Sequence, residues 1–132
     1  MAIKINRIHH VAIICSNYAR SLAFYVDVLG FTLTNEAYRR ERDSYKADLS
    51  LNSEYVLELF SFPTPPERLS FPEAAGLRHL AFEVDHISET RLSLLRLGVL
   101  CEDVRTDPIT KKEFFFIADP DGLPIEFYET GS

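Results

Sequence analysis

The sequence is poor in cysteine and in long uncharged stretches. Its only cysteines, Cys15 and Cys101, are too few for a disulfide framework and lack the spacing of a CxxC pair. We therefore expect two free thiols and a reducing compartment. No apolar run reaches the length of a membrane-spanning helix or of the apolar core of a signal peptide. The sequence thus predicts a cytoplasmic protein with no membrane partner.

Basic charge is also scarce. Lysine and arginine number 14 against 20 acidic residues, which gives a net charge of -6 at pH 7. Such a chain has no basic stripe for neutralising phosphates, so we expect no nucleic-acid partner. The length of 132 residues and the 46% hydrophobic content are typical of one soluble domain. Small molecules and proteins remain as expected partners.

What the sequence does contain is one pattern of elements that occurs twice. Each half starts with an apolar strand, continues with a helix that ends at a glycine, and closes with three strands. A hairpin about Asn52-Ser53 joins two strands of the first half. The first half is predicted as a strand over 3–15 covered on both faces, a helix over 18–29 capped by Ser16 or Asn17, and strands over 31–39, 44–51 and 54–62. The second half is predicted as a strand over 77–84, a helix over 87–97 and strands over 99–105, 113–118 and 123–128.

Spacing supports a duplicated module. Gly30 precedes Glu58 by the same number of residues as Gly98 precedes Glu126. The residues around the two glutamates, 57–60 and 125–128, also match type by type. Internal similarity of this kind indicates two copies of one structural unit.

Each half contributes one histidine from its first strand and one glutamate from its last. These residues, His10, Glu58, His79 and Glu126, would form a site with two nitrogen and two oxygen ligands. Such a site suits Zn, Ni, Co, Fe(II) or Mn better than Ca or Mg. A single strand histidine is commonly a core residue and a single strand glutamate commonly faces solvent, but their equivalent positions in both halves favour a divalent metal.

The two other histidines carry weaker signals. His9 has the opposite strand parity to His10, so we expect a structural or surface residue that faces away from the site. His86 lies beside the predicted start of the second helix, where capping or exposure is expected.

Several motifs together resemble one family. They are His-His-Val-Ala-Ile at 9–13, Ser-Leu-Ala-Phe-Tyr-Val-Asp-Val-Leu-Gly-Phe at 21–31, Val-Leu-Glu-Leu at 56–59, Leu-Arg-His-Leu-Ala-Phe at 77–82 and Asp-Pro-Asp-Gly-Leu-Pro-Ile-Glu-Phe at 119–127. With these motifs the chain resembles the vicinal oxygen chelate superfamily, and within it the small glyoxalase I (lactoylglutathione lyase) group. The resemblance covers residues 5–129.

The resemblance implies an α+β fold of two tandem βαβββ modules that form a curved, mixed eight-stranded sheet. Residues 1–132 would be a single domain, with module 1 at about 5–62, a linker at about 63–76 and module 2 at about 77–129. It also implies one divalent metal on His10, Glu58, His79 and Glu126. Small members of the family commonly form homodimers, so we expect one here, with the site formed within one chain or across two.

In glyoxalase I a metal-bound glutamate moves a proton between adjacent carbons through an enediolate. The resemblance therefore implies Glu126 as the leading catalytic base and Glu58 as its near-symmetric partner. The family's glutathione-binding Arg and Asn are replaced by Ile14 and Phe62, which would line the substrate pocket together with Phe60. Four basic residues could replace that clamp, although each is also interpretable as a solvated charge: Arg7, Arg39, Arg78 and Lys112.

The leading hypothesis is thus a glyoxalase I-like lyase or isomerase for a small oxygenated or thiol-adduct substrate. An acyl-thioester epimerase would usually have glutamine at the place of Glu58. Thiol transfer to an antibiotic and extradiol ring cleavage would need only three protein ligands. Outside enzymes, the alternatives are a drug-binding protein of the same superfamily and a regulatory partner with a structural metal.

Overall fold

The computed structural model describes residues 1–131, which divide into two compact units. The first unit is Met1–Pro66 and the second begins at Glu67. Each unit has one main helical segment and one four-stranded mixed sheet, with the strand that precedes the helix at the sheet edge. This arrangement confirms the α+β fold of two βαβββ modules.

In the first unit the strand order is β1-β4-β3-β2. Strands β1 and β4 are parallel, and the other neighbours are antiparallel. The elements are β1 (Val11–Cys15), α1 (Tyr18–Ala23, continued by a π-helical turn over Phe24–Val28), β2 (Thr32–Arg39), β3 (Ser44–Leu51) and β4 (Glu54–Ser61).

The second unit repeats this topology with the order β5-β8-β7-β6. Strands β5 and β8 are parallel, as their counterparts are in the first unit. The elements are β5 (Leu80–Val84), α2 (Ile87–Arg96), β6 (Arg105–Thr106), β7 (Glu113–Ala118) and β8 (Pro124–Glu129). Among residues 1–131, the structure contains no helix with the length and hydropathy needed to cross a membrane.

The local signals at the helix ends act as expected. The Asn17 side chain accepts a hydrogen bond from the backbone N–H of Arg20 at 3.1 Å, which caps the start of α1. Gly30 and Gly98 follow the two helices with φ angles of 84° and 82°. Residues with a side chain rarely adopt such angles, so glycine is the favoured residue at both chain reversals.

Strand alternation separates the core from the site in both units. In β4 the side chains of Leu57 and Leu59 are buried in the core, and in β8 those of Ile125 and Phe127 are. The residues between them point to the opposite face because successive side chains of a strand alternate. Glu58 and Glu126 therefore lie on the faces of their sheets that are turned away from the core.

The predicted first strand is too long and too buried. Residues 3–10 are outside any strand and exposed, and Ile14 within β1 is 56% exposed. Strand β1 pairs only with β4, and the pairs extend only from Val11 to Cys15. High strand propensity does not suffice where the backbone has no hydrogen-bonding partner.

The predicted strand over 99–105 is also wrong. Only Arg105–Thr106 form β6, paired with Phe114 and Glu113. The backbone N–H of Val99 instead donates to the carbonyl of Leu94 at 3.0 Å, as part of the closing turn of α2. The helix end thus uses a donor that a strand would have required.

The hairpin between β3 and β4 is confirmed, and it brings Glu58 into register with β3. Its turn residues, Asn52 and Ser53, have φ angles of 50° and 68°. Two consecutive positive φ angles are typical of the tight turn that joins paired strands, for which Asn-Gly is the preferred sequence.

Replacing Ser53 with glycine should stabilise the protein. A residue with a side chain at positive φ destabilises the fold by about 1–2 kcal/mol. Glycine relieves this strain, but its greater conformational entropy in the unfolded state offsets part of the gain. We expect Ser53→Gly to raise the free energy of unfolding by about 0.5–1 kcal/mol in urea titrations. Ser53→Ala is the control, since it keeps the strain; an equal gain in both variants would contradict this account.

Candidate functional site

The first half of the candidate site is a histidine and a glutamate held side by side by parallel strand pairing. Glu58 lies in the middle of β4 opposite Ala12 of β1, and His10 is two residues before Ala12. The Nε2 atom of His10 is 3.7 Å from Oε1 of Glu58. The Glu58 side chain is only 15% exposed, so its charge requires nearby polar partners.

His9 belongs to this half and does not face away from it. Its Nδ1 atom is 2.8 Å from Nδ1 of His10, and its ring packs edge-on against Tyr55. The ring of His10 stacks on the same tyrosine at 5.2 Å. The expectation from strand parity is wrong because both histidines precede β1, where strand alternation does not apply. If the Nδ1–H of His10 donates to Nδ1 of His9, then Nε2 of His10 carries no hydrogen. The lone pair of this Nε2 atom is then free on the side of Glu58.

Two further residues hold Glu58, Lys46 and Tyr55, and the sequence analysis missed them. Lys46 of β3 places its Nζ atom 3.2 Å from Oε2 of Glu58 and 3.1 Å from Oδ1 of Asp48. The hydroxyl of Tyr55 donates to the same Oε2 at 3.1 Å. The hairpin register pairs Asp48 directly with Glu58, so counting back from the turn would have found both β3 residues.

These contacts determine how the neighbouring groups ionise. Hydrogen bonding to Asp48, followed by the contact with Glu58, raises the pKa of Lys46, so its ammonium stays charged through the neutral range. Burial, together with the hydrogen bond to Glu58, raises the pKa of Tyr55 far above its usual value. Tyr55 therefore remains a neutral donor to the carboxylate.

The second half of the candidate site repeats the histidine–glutamate pair. Glu126 of β8 lies opposite Ala81 of β5, and His79 is two residues before Ala81. The Nε2 atom of His79 is 3.5 Å from Oε1 of Glu126, whose side chain is 15% exposed. The Nδ1 atom of His79 is buried without a hydrogen-bond partner, and the ring of Phe116 packs edge-on against the imidazole.

The surroundings of the two glutamates differ. Asp48 pairs with Glu58 in the first sheet, whereas Phe116 pairs with Glu126 in the second. Among residues 1–131, no lysine or arginine forms an ion pair with Glu126. Glu58 thus contacts a cation and a hydroxyl, whereas Phe116 stands opposite Glu126 across the strands.

The donor atoms fit a divalent metal. Separations of 3.7 and 3.5 Å are longer than ordinary hydrogen bonds. Two ligands at about 2.1 Å from one metal stand about 3.0–3.4 Å apart at octahedral or tetrahedral angles. Each unit therefore offers one imidazole nitrogen and one carboxylate oxygen at close to a chelating distance. In the described part of the chain, no three His, Cys, Asp or Glu side chains gather as ligands.

A cavity of about 650 Å³ lies within the second unit, with His79 on its wall. The segment after Glu67 covers one side of it, and Arg68 holds that segment by donating to the backbone carbonyls of Leu77 and Arg78 at 2.7 and 2.8 Å. The remaining wall is mixed apolar and charged, with Cys101, Glu102, Arg105 and Phe116 among its residues. Its volume is typical of a small-molecule site.

The three residues predicted to line a substrate pocket lie on the open face of the first sheet. Phe60 and Phe62 stack with their ring centres 6.0 Å apart, and Ile14 pairs with Phe60 across the strands. Of the basic residues considered as a replacement clamp, Arg39 lies over these two rings. Arg78 forms an ion pair with Glu73, and Lys112 donates to a backbone carbonyl.

Comparisons with known proteins agree with this architecture. The model of the Glyoxalase/Bleomycin resistance protein/Dioxygenase superfamily matches residues 7–127. The uncharacterized protein YaeR of Escherichia coli is 59% identical over 95% of this chain and 97% of its own length. The uncharacterized protein YwkD of Bacillus subtilis is 60% identical over 92% of this chain and 95% of its own. A crystal structure of a glyoxalase family protein from Enterococcus faecalis is 48% identical, with a TM-score of 0.88, over 93% of this chain and 97% of that one.

Removing the charge of Lys46 should destabilise the first unit. In Lys46→Met the facing carboxylates of Asp48 and Glu58 would repel each other without a cation between them. We expect the free energy of unfolding at pH 7 to fall by about 1 kcal/mol, and the loss to shrink in about 1 M salt, which screens the repulsion. Lys112→Met, which removes no ion pair, is the control. A loss that is the same at low and high salt would show that packing, not charge, is responsible.

Proposed function

The chain belongs to the Glyoxalase/Bleomycin resistance protein/Dioxygenase superfamily, and from this membership we propose that it is a divalent-metal-dependent lyase or isomerase of the glyoxalase I type. The observation that carries the proposal is the presence of one His–Glu pair at the same place in each module. A duplicated pair of ligands is the arrangement that a shared four-ligand metal would require. A single pair in one module would support only a structural contact.

His10, Glu58, His79 and Glu126 would hold the metal, which is Ni, Zn, Mn, Co or Fe(II). Two nitrogen and two oxygen donors suit these ions, and an octahedral ion would keep positions for substrate or water. When bound, the metal supplies Lewis-acid stabilisation of negative charge on neighbouring substrate oxygens. The four ligands would come from one chain or from two chains of a homodimer.

The proton-transfer role is best assigned to Glu126. Lys46 and Tyr55 both contact Oε2 of Glu58, so that carboxylate is held in place. Within residues 1–131, Glu126 has neither such partner, and Phe116 stands opposite it across the strands, so its carboxylate is freer to move. Glu126 would accept a proton from one substrate carbon and return it to the adjacent carbon. Glu58 would serve mainly as a fixed ligand.

The substrate would enter beside His79. The cavity of the second unit reaches this histidine, and its mixed apolar and charged wall suits a small oxygenated molecule or its thiol adduct. Ile14 and Phe62 offer no charge for glutathione carboxylates, so we do not assign glutathione as the thiol. We propose a cytoplasmic location because two free cysteines are typical of a protein from a reducing compartment.

Replacing Glu126 with glutamine should stop proton transfer while leaving three ligands. We expect Glu126→Gln to lower turnover of 2-oxoaldehydes, tested with and without thiols, by about 100-fold or more. With substrate deuterated at the carbon that gives up its proton, NMR should show that the variant no longer exchanges this deuterium for hydrogen from solvent. Glu89→Gln, on the exposed side of α2, is the control and should keep full activity. Undiminished turnover in Glu126→Gln would refute the assigned role.

Metal binding can be tested independently of activity. Protein stripped with a chelator should bind about one ion per site by calorimetry with Ni, Zn, Co, Mn or Fe(II), and the bound metal should raise Tm. We expect His10→Ala to weaken binding by at least about tenfold, and His86→Ala, at the start of α2, to leave it unchanged. If no metal binds with measurable affinity, a metal-free small-molecule-binding protein of the same superfamily becomes the better explanation.

A further inference from the structure

The geometry points to an oxyanion-binding site on the open face of the first sheet, formed by Arg39 and Arg42 over the rings of Phe60 and Phe62. We infer that it takes the carboxylate or phosphate end of the substrate. Its role in catalysis depends on the function proposed above, but the binding of an anion there does not. The argument is based on the placement of the two guanidinium groups, on their lack of acidic partners and on their distance from Glu58.

Both guanidinium groups lie over Phe62, and that of Arg39 also lies over Phe60. That of Arg39 is 4.8 Å from the centre of the Phe60 ring and 5.7 Å from that of Phe62. That of Arg42 is 5.1 Å from the centre of the Phe62 ring. Stacking on an aromatic face holds a guanidinium in a defined orientation and leaves its edge free to donate hydrogen bonds.

Neither cation is neutralised by the protein. Within residues 1–131, no carboxylate lies within ion-pair distance of Arg39 or Arg42, although the chain carries six more acidic than basic residues. The acidic residues nearest in sequence are Glu41 and Asp43, and Asp43 accepts a hydrogen bond from Tyr38. Two like charges that share one ring repel each other, and a bound anion would relieve that repulsion.

Contacts with the protein fix the side chain of Arg39 in place. Its Nη2 atom donates to the buried hydroxyl group of Ser44 at 3.0 Å, and its Nε atom is buried without an acceptor. The residue ends β2 and pairs with Ser44 of β3, so backbone pairing fixes its base. A guanidinium that is held in this way loses little conformational entropy when it binds a planar carboxylate or a phosphate.

The site lies at a defined distance from the candidate metal ligands. Glu58 and Phe60 lie on the same face of β4, and Phe62, just after the strand, stacks on Phe60. At about 3.3 Å per residue, Phe60 lies about 7 Å from Glu58 along the strand, and its ring centre is 6.0 Å from that of Phe62. A substrate that reaches both places would carry metal-binding oxygens and an oxyanion about 10 Å apart, with an apolar middle over Phe60.

The two arginines thus supply positive charge to a part of the first unit whose own pocket residues carry none. Ile14 and Phe62 cannot pair with an anion, but the end of β2 and the following turn bring two arginines over Phe62. The recognised class would be anionic substrates with an apolar body, whether the anion is a carboxylate or a phosphate.

The test measures anion binding to chelator-treated, metal-free protein, with benzoate, phenyl phosphate and the neutral benzamide as probes. We expect at least one of the two anions to bind, with NMR shifts in the ring protons of Phe60 and Phe62, and benzamide not to bind. Arg39→Gln and Arg42→Gln should each weaken binding about tenfold or more. Arg40→Gln removes the same charge from the same turn but from a guanidinium that, among the described residues, lies over neither ring, and should change Kd less than about twofold.

Arg42→Gln is the safer variant because the exposed side chain of Arg42 makes no hydrogen bond that the fold requires, whereas Arg39 holds Ser44. The ratio of the two anion affinities identifies the carboxylate or the phosphate as the preferred group. The site is refuted if neither anion binds at tens of millimolar, or if Arg40→Gln weakens binding as much as Arg42→Gln. The binding test uses metal-free protein and measures no turnover. Its result would therefore stand even if the protein had no glyoxalase-type activity.

Discussion

The parallel pairing of the first and last strands of each module is the constraint on which the site depends. It sets Ala12 opposite Glu58 and Ala81 opposite Glu126, and so brings each glutamate beside the histidine two residues before the paired alanine. A parallel pair needs a crossover, which the helix of each module supplies. The helix and the core-facing residues therefore serve the site by fixing this register, and the opposite face is left for polar side chains.

Duplication gives two similar pairs, but the neighbouring strands make them unequal. The partner of Glu58 across the sheet is Asp48, with Lys46 beside it, and that of Glu126 is Phe116. Glu58 thus contacts a cation and a hydroxyl group, whereas Phe116 stands opposite Glu126. The proposal of Glu58 as a fixed ligand and Glu126 as a mobile base rests on this difference. The repeat would provide the ligands, and the local difference between its two copies would provide the division of roles.

Much of the fold could be predicted because its signals are local. Apolar periodicity, the Asn17 cap, the two glycines and the Asn52-Ser53 turn each act over a few residues, and the structure contains them. The errors at 3–10 and 99–104 arise where a strand needs a partner that the sequence does not name. The prediction that His9 faces away from the site was wrong for a similar reason, since residues before a strand do not follow its alternation. Lys46 and Tyr55 were missed because their contacts with Glu58 depend on hairpin register.

The sequence by itself determined the repeat, the family resemblance, and the four residues expected to bind a metal, because residue type and spacing survive without coordinates. Only the tertiary structure decided what surrounds them. It brought Lys46 to Glu58, placed Phe116 opposite Glu126, enclosed a cavity beside His79 and set Arg39 and Arg42 over Phe60 and Phe62. These are contacts between residues on different strands or in the turns and segments that join them. They depend on sheet order and register, which no single stretch of sequence specifies.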